Sequence, residues 1–251
     1  MPTHSAFALI GDRFHNSDYI RTGLGKTIGE DCGLDIEFCD QVERLNAETL
    51  ASQQLLVVFR DGMVWPRGYG VAAYPGYNPA EQGARSEPAV PQAQPEAVQW
   101  ITPEQGRAVR QFVQGGGSAL FYHNSTYITA SEDYTHVQGS ATQGHPPVRP
   151  YKVRITHKGH PVTQGVNDFV VTDEQHFMHY DKDPAYVLAE SVNEEGHAFK
   201  ELGTSCQAAW AYDYGGGRVC YLAPGHTIEA LWNPEYVKLQ RNAVRWLLRQ
   251  G

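Results

Sequence analysis

Residues 55–59 read LLVVF, an apolar run without a polar interruption. Such a run is typical of a parallel strand that is covered on both faces, because a strand with one exposed face would alternate. Residues 7–10 and 35–39 read as two earlier strands, with helical patterns around Ile20 and over 47–53. The order strand, helix, strand, helix, strand indicates an α/β fold with an open, mostly parallel sheet and helices on both faces.

A Pro- and Gly-rich stretch over about 62–101 interrupts this alternation. A loop of this length inside a compact domain is usually a functional lid or a disordered insert. We therefore predict one domain over 1–251 that carries this insert. Its aromatic residues would either anchor the loop or contact a ligand, and they favour a homo-oligomer: Trp65, Tyr69, Tyr74 and Tyr77.

Regular structure returns after the insert. Thr102, Pro103 and Gln105 form the pattern of a capping box that starts a helix, and Asn233 opens the final one. The run SALFY at 118–122 reads as a second fully buried strand. Four further strands are predicted, over 151–157, 186–192, 208–212 and 218–222.

Composition excludes several classes of partner. The formal net charge is -8, with 20 Lys and Arg against 28 Asp and Glu, so nucleic-acid binding is not expected. No run approaches the roughly 20 apolar residues that span a bilayer, and no secretory signal is evident. The four cysteines are scattered, which favours buried thiols in the cytoplasm over a disulfide framework.

Polar residues follow four of the predicted strands. In an open parallel sheet, ligands bind beyond the carboxyl ends of the strands, so these positions predict a site for a small polar ligand. Each residue also has a structural interpretation, as a turn residue or a satisfied histidine. The residues are Asp12, Arg13, His15, Arg60, Asp61, His123, Asn124 and His226.

Residues 172–181 (TDEQHFMHYD) form the densest titratable cluster. On a strand, Glu174 and His176 would share a face, whereas on a helix His176 and His179 would do so. Either arrangement could hold a metal or share a proton. A solvated polar edge is the alternative.

Common nucleotide and hydrolase motifs are missing. No GxGxxG follows the first strand, no GxxxxGK[ST] occurs, and GxSxG is absent. A dinucleotide fingerprint, a P-loop and an α/β-hydrolase elbow are therefore not expected.

Four collinear segments resemble the ThuA-like (trehalose utilisation) family. They are GGGSALFYHNS at 115–125, GHPVTQGV at 159–166, TDEQHFMH at 172–179 and AYDYGGGRVCYLAPGH at 211–226. The resemblance implies a flavodoxin-like fold of the class I glutamine amidotransferase type. In that superfamily a cysteine nucleophile stands after a strand, but the matching turn here is His123-Asn124-Ser125, so we do not expect a glutaminase.

The same resemblance implies carbohydrate processing through 3-keto sugars, with His123, Glu174 and His226 as catalytic residues. We expect isomerisation, elimination or hydrolysis by His/Glu acid–base chemistry, with Glu174 as base. One divalent metal ion could assist, with His123, Glu174, His226, His176 and His179 as candidate ligands. Trp210 is a further candidate for sugar stacking. The alternatives are a non-catalytic small-ligand binding or assembly module and a metal-dependent hydrolase of another polar substrate.

Overall fold

The computed structural model describes residues 4–66 and 96–250. Thirteen strands lie in these ranges: β1 His4–Ile10, β2 Leu34–Cys39, β3 Leu55–Phe59, β4 Met63–Val64, β5 Val98–Gln99, β6 Ser118–Tyr122, β7 Ser140–Gly144, β8 Arg149–Ile155, β9 Phe169–Asp173, β10 Phe177–Tyr180, β11 Val187–Val192, β12 Ser205–Tyr214 and β13 Gly217–Leu222. Six α-helices accompany them: α1 Ser17–Leu24, α2 Ala47–Leu50, α3 Pro103–Gln114, α4 Glu132–Gln138, α5 Ile228–Leu231 and α6 Pro234–Leu247.

The central sheet has nine strands in the order β2-β1-β3-β6-β13-β12-β11-β8-β9. The first five are parallel to one another, and each later neighbour pairs antiparallel. Every residue of β3 and β6 is buried, as expected for strands covered on both faces. Helices α3 and α6 both pack on β6 and β13. The predicted α/β, flavodoxin-like class is therefore confirmed.

The antiparallel half of the sheet curls back over the parallel half. Strand β9 lies four positions from β13, which would be roughly 19 Å in a flat sheet with strands about 4.8 Å apart. Nevertheless Asp173, the last residue of β9, accepts a hydrogen bond from the backbone N–H of Gly225 at 3.0 Å, just after β13. This curl brings the carboxyl ends of β9 and β13 together.

Local sequence signals explain where the helices begin. The capping box at Thr102 is present, with both reciprocal hydrogen bonds to Gln105. Asn233 caps α6 as predicted. The cap of α1 is Asn16, whose side chain accepts from the Asp18 N–H, and Ser17 is already helical.

The base of the Pro- and Gly-rich insert is closed by a two-stranded ladder. Met63 pairs with Gln99 and Val64 with Val98, so the chain leaves and re-enters at one place. Tyr69, Tyr74 and Tyr77 lie outside the described residues. No helix in the described ranges is long and apolar enough to cross a membrane.

Trp210 belongs to the core and not to a ligand surface, contrary to the prediction. Its side chain is completely buried, its indole N–H donates to the Gln138 carbonyl at 3.0 Å, and its ring stacks on Tyr221 at 4.0 Å. The sequence position, in the middle of a strand, could not distinguish the two faces of β12.

Trp210→Ala should lower the free energy of unfolding by about 3–5 kcal/mol, because it removes a large buried side chain and leaves a cavity. Urea unfolding measures this loss. Trp232→Ala is the matched control, since Trp232 is 39 % exposed, and it should cost less than about 1 kcal/mol. Equal losses in the two variants would contradict the core assignment.

Candidate functional site

Glu174 lies among five histidines. Its Oε2 atom is 3.3 Å from His226 Nδ1, 3.4 Å from the Nε2 atoms of His123 and His176, and 4.0 Å from His15 Nε2. Its other oxygen, Oε1, is 3.6 Å from His145 Nδ1. This cluster is the largest concentration of titratable groups in the part of the chain that the structure describes, and it lies at the carboxyl ends of the sheet strands.

Five separate strand ends contribute these side chains. His15 lies on the loop after β1, His123 follows β6 directly, and His145 follows β7. Glu174 and His176 come from the turn between β9 and β10, and His226 comes from the loop after β13. The site therefore forms only when the whole sheet has assembled.

The backbone at the end of β6 is constrained around His123. This residue has a positive φ of 45°, which is uncommon for a non-glycine residue, and its side chain is fully buried. Gly225 packs against it so closely that a Cβ there would lie 2.7 Å from the Cβ of His123. Only glycine fits at 225, so this glycine lets the β13 loop approach His123.

Asp12 orients His15. Its Oδ1 accepts from His15 Nδ1 at 2.9 Å and from the Phe14 N–H at 2.8 Å, while its Oδ2 accepts from the Asp61 N–H at 3.0 Å. Asn124 also donates to Oδ2. Burial alone would raise the pKa of Asp12, but His15 and these N–H groups outweigh it and lower the pKa.

Asp173 ties the two halves of the sheet together at the site. The carboxylate is completely buried and accepts from the backbone N–H groups of Glu174 at 2.7 Å, Gly225 at 3.0 Å and His226 at 3.1 Å. These bonds fix Glu174 and His226 relative to each other. In the Asp173-Glu174 pair, the first carboxylate thus positions the backbone and the second enters the cluster.

The hydrogen bonds leave two imidazole nitrogens without a proton when the rings are neutral. His123 Nδ1 donates to the Ala223 carbonyl at 2.8 Å, and His15 Nδ1 donates to Asp12, so in the neutral rings both Nε2 atoms carry lone pairs. These atoms face the Glu174 carboxylate, which is ionised. Burial would raise its pKa, but His123, His176 and His226 lower it well below its usual range. Buried lone pairs that face each other require a proton or a cation between them.

A single metal ion fits this arrangement. Around a tetrahedral Zn²⁺ at about 2.0–2.1 Å, ligand atoms lie roughly 3.3 Å apart. The ligand atoms of His15, His123, Glu174 and His226 lie within 4.8 Å of one another, and His226 Nδ1 is 3.1 Å from His15 Nε2, so small movements would bring them to this spacing. His123 Nε2 is inaccessible and makes no hydrogen bond, as expected for a nitrogen reserved for a metal. Three imidazoles and a carboxylate suit Zn²⁺ or another divalent transition ion.

His145 and His176 form a second group beside the same carboxylate. Their rings stack at 4.8 Å, and His176 is almost fully buried. His145 Nδ1 lies 2.9 Å from the Pro146 carbonyl and so carries a proton, which prevents that nitrogen from binding a metal. The group therefore fits a metal less well than the first.

A cavity of about 420 Å³ opens over the cluster. Its polar lining residues are His15, Asp61, Asn124, His145, Glu174, His176 and His226. Its apolar and aromatic lining residues are Phe14, Met63, Trp65, Ala97 and Tyr127. Its size lies within the range of small-molecule sites.

The structure brings together seven of the residues that the sequence singled out: Asp12, His15, Asp61, His123, Asn124, Glu174 and His226. His176 joins them through the second group. Arg60 turns away, since its guanidinium donates to the Asp40 carbonyl and lies over Trp100. Arg13 lies over the rings of Phe14 and Trp65 at the rim of the cavity. His179 is exposed and outside the cluster.

Sequence reasoning missed His145, Asp173, Phe14 and Tyr127. His145 follows Gly144 at the end of a strand that carries no apolar pattern, so its only signal was a histidine beside glycine and proline. None of the four cysteines lines the cavity. Cys220 is fully buried, and that burial raises the pKa of its thiol.

The sequence model of the ThuA family, described as "Trehalose utilisation", matches residues 89–247. The chain belongs to the ThuA family. This membership confirms the resemblance to the ThuA-like family that the sequence motifs indicated. The description of the family indicates a role related to carbohydrate. No curated protein sequence matches the chain.

Solved structures share its fold. A ThuA-like protein from Parabacteroides merdae ATCC 43184 has a TM-score of 0.69 at 16 % identity, over 99 % of this chain and 91 % of that one. A ThuA-like protein from Bacteroides uniformis ATCC 8492 has a TM-score of 0.65 at 15 % identity, over 98 % and 91 %. A β-galactosidase from Bacillus circulans sp. alkalophilus has a TM-score of 0.55 at 10 % identity, over 98 % of this chain but 30 % of the enzyme.

Asp12→Asn should weaken binding of Zn²⁺ about 10- to 100-fold, because the charge that orients His15 and raises its basicity is lost. Competition with a chromophoric chelator measures the affinity. Asp18→Asn is the matched control: the Asp18 side chain is 85 % exposed and pairs only with Arg21 in the described part of the chain, so the affinity should not change. An unchanged affinity in Asp12→Asn would rule out this positioning role.

Proposed function

We propose that this ThuA family protein is a carbohydrate-processing enzyme that acts on a keto-sugar or disaccharide derivative. The observation that carries the proposal is the convergence of His15, His123, Glu174 and His226, three of which line the cavity while His123 lies buried behind them. A divalent cation held there would act as a Lewis acid that polarises a substrate carbonyl. Isomerisation, elimination and hydrolysis of keto sugars all begin with, or benefit from, such polarisation.

The surroundings of Glu174 support a role as ligand. Its Oε2 atom has four imidazole nitrogens within 4.0 Å. A proton transferred from a substrate to Oε2 would compete with these nitrogens for the oxygen. A general base must also have a free oxygen that reaches the substrate. We therefore propose that Glu174 binds the cation together with His123 and His226, and that His15, first considered for substrate binding, is the fourth ligand.

The mixed lining of the cavity suits a sugar ring. A pyranose presents hydroxyl groups at its edge and C–H groups on its faces. The polar lining residues can receive the hydroxyls, while Phe14, Trp65 and Tyr127 offer aromatic surface to the C–H groups. Phe14 is 58 % exposed although it is large and apolar, and a stacking partner would cover it.

Other features agree with a small, polar, uncharged ligand. The net charge of -8 disfavours polyanions, and no arginine or lysine lines the described part of the cavity. All four cysteines are free thiols, which fits the expected cytoplasmic location. A homo-oligomer remains our expectation from the aromatic residues of the insert.

Metal-loaded protein should convert 3-ketotrehalose, as measured by loss of the ketone in a coupled or chromatographic assay. His123→Ala and Glu174→Gln should each lower kcat/KM roughly 1,000-fold, because several kcal/mol of charge stabilisation disappear with the cation. His179→Ala is the matched control and should keep the wild-type rate, since that side chain is exposed outside the cluster. Wild-type rates in both cluster variants would contradict the proposal.

A non-catalytic binding or assembly module is the second candidate. The observation that favours it is the likeness to the β-galactosidase, in which the shared fold occupies 30 % of a longer chain. A module of this kind would bind a sugar without turning it over. Calorimetric binding of 3-ketotrehalose without any loss of the ketone, in metal-loaded protein, would favour the module over the enzyme.

A further inference from the structure

Asp61 is a second carboxylate in the cavity, apart from the cluster. It directly follows β3, which lies between β1 and β6 in the sheet, so its neighbours are the loops that carry Asp12 and His123. Only 6 % of the residue is exposed, and it lines the cavity. Among the described residues that line the cavity, Glu174 and Asp61 are the two carboxylates.

One oxygen of Asp61 is held and the other is free. Oδ1 accepts from the Met63 N–H at 2.9 Å, and the backbone of Asp61 is fixed by Asp12 on one side and by the Trp100 indole N–H at 2.7 Å on the other. Within the described ranges Oδ2 accepts no hydrogen bond. Because Asp61 lines the cavity, this oxygen is available there to a ligand.

The environment of Asp61 favours its protonated form. Burial of the carboxyl group is the larger cause and the negative charge of Asp12 is the second. Together they raise the pKa of Asp61 to about 7. Arg60, next to it on the chain, opposes this shift, while Tyr127 is the titratable group that faces it from the helical turn after β6. A carboxylate with a pKa near neutrality is a stronger base than an ordinary aspartate and is still ionised in part at pH 7.

We propose that Asp61 is the general base that removes the proton next to the substrate carbonyl. This inference rests on the proposed function, since it assigns the proton transfer that a keto-sugar reaction needs. Glu174 and the histidines of the cluster are engaged with one another, whereas Asp61 Oδ2 is not. The free oxygen and the cluster border the same cavity, so one substrate can contact both.

The proton transfer balances without any further reactant. The C–H bond next to the carbonyl breaks, its proton forms an O–H bond with Asp61 Oδ2, and its electron pair becomes a carbon–carbon double bond. The π pair of the carbonyl moves onto the carbonyl oxygen. Return of the proton from Asp61 to the same carbon restores the ketone, and exchange of that proton with solvent labels the substrate. The isomeric ketone forms when the hydroxyl proton on that carbon moves to the enolate oxygen and Asp61 delivers its proton to the former carbonyl carbon.

Asp61→Asn tests the assignment, because asparagine keeps the Oδ1 acceptor for the Met63 N–H but cannot take up a proton. We expect exchange of solvent deuterium into 3-ketotrehalose, followed by NMR, to fall at least roughly 100-fold, as for loss of a general base. Zn²⁺ content should stay at the wild-type level. Asp61→Ala should be partly rescued by added formate, which can occupy the vacated space and act as a base.

The pH dependence of stability provides a readout that does not need turnover. The folded-state pKa of about 7 lies above the ordinary value of 3.8, so the native state of wild type binds the extra proton. The contribution of Asp61 to stability is therefore fully present below the ordinary value and is lost as pH rises through about 7. Asp61→Asn should show a smaller loss of Tm than wild type between about pH 5 and pH 8, whereas exposed Asp35→Asn should follow wild type.

The outcomes separate this inference from the proposed function. If wild type exchanges deuterium and Asp61→Asn exchanges equally fast, the base is another group and only this inference fails. If Asp61→Asn loses exchange but keeps its Zn²⁺, and formate restores exchange in Asp61→Ala, the assignment is supported. If metal-loaded wild type neither exchanges nor converts 3-ketotrehalose, the proposed function fails and the inference falls with it.

Discussion

The arrangement of the site depends on one electrostatic constraint: the partly buried carboxylate of Glu174 faces imidazole nitrogens at 3.3–4.0 Å. His15 donates a ring N–H to Asp12, and His123 donates a ring N–H to a backbone carbonyl. A neutral imidazole has a single N–H, so neither ring can donate to Glu174 while it is neutral. Such an arrangement is costly when empty and favourable around a cation. The surrounding structure can be understood as the framework that holds these groups in position.

That framework needs both halves of the sheet. The parallel half supplies His15, His123 and His226 at the ends of β1, β6 and β13, in the crevice where α/β sheets commonly bind ligands. The antiparallel half curls until β9 delivers Glu174, and buried Asp173 fixes the junction through three backbone N–H groups. Gly225 permits the close contact with His123. Stability of the sheet and geometry of the site are thus linked through Asp173.

Much of this could be predicted from sequence because periodicity and strand ends are local features. The runs LLVVF and SALFY predicted two buried parallel strands, and the bounds of both strands are as predicted. His123 directly follows the second of them, which made it a candidate site residue. The partnership of Glu174 with His15 could not be deduced, since it depends on the curl of four antiparallel strands. Trp210 and Arg60 show the same limit: position along a strand does not determine which way a side chain points.

Membership of the ThuA family links the fold to carbohydrate, while the shared fold of distant structures does not by itself assign a reaction. The most direct test of the cation site is anomalous X-ray diffraction from crystals of untagged protein loaded with Zn²⁺. We expect one peak per chain, within about 2.0–2.2 Å of His15 Nε2, His123 Nε2, His226 Nδ1 and a Glu174 oxygen. Full occupancy elsewhere, or no bound metal with these groups joined by hydrogen bonds alone, would contradict this expectation.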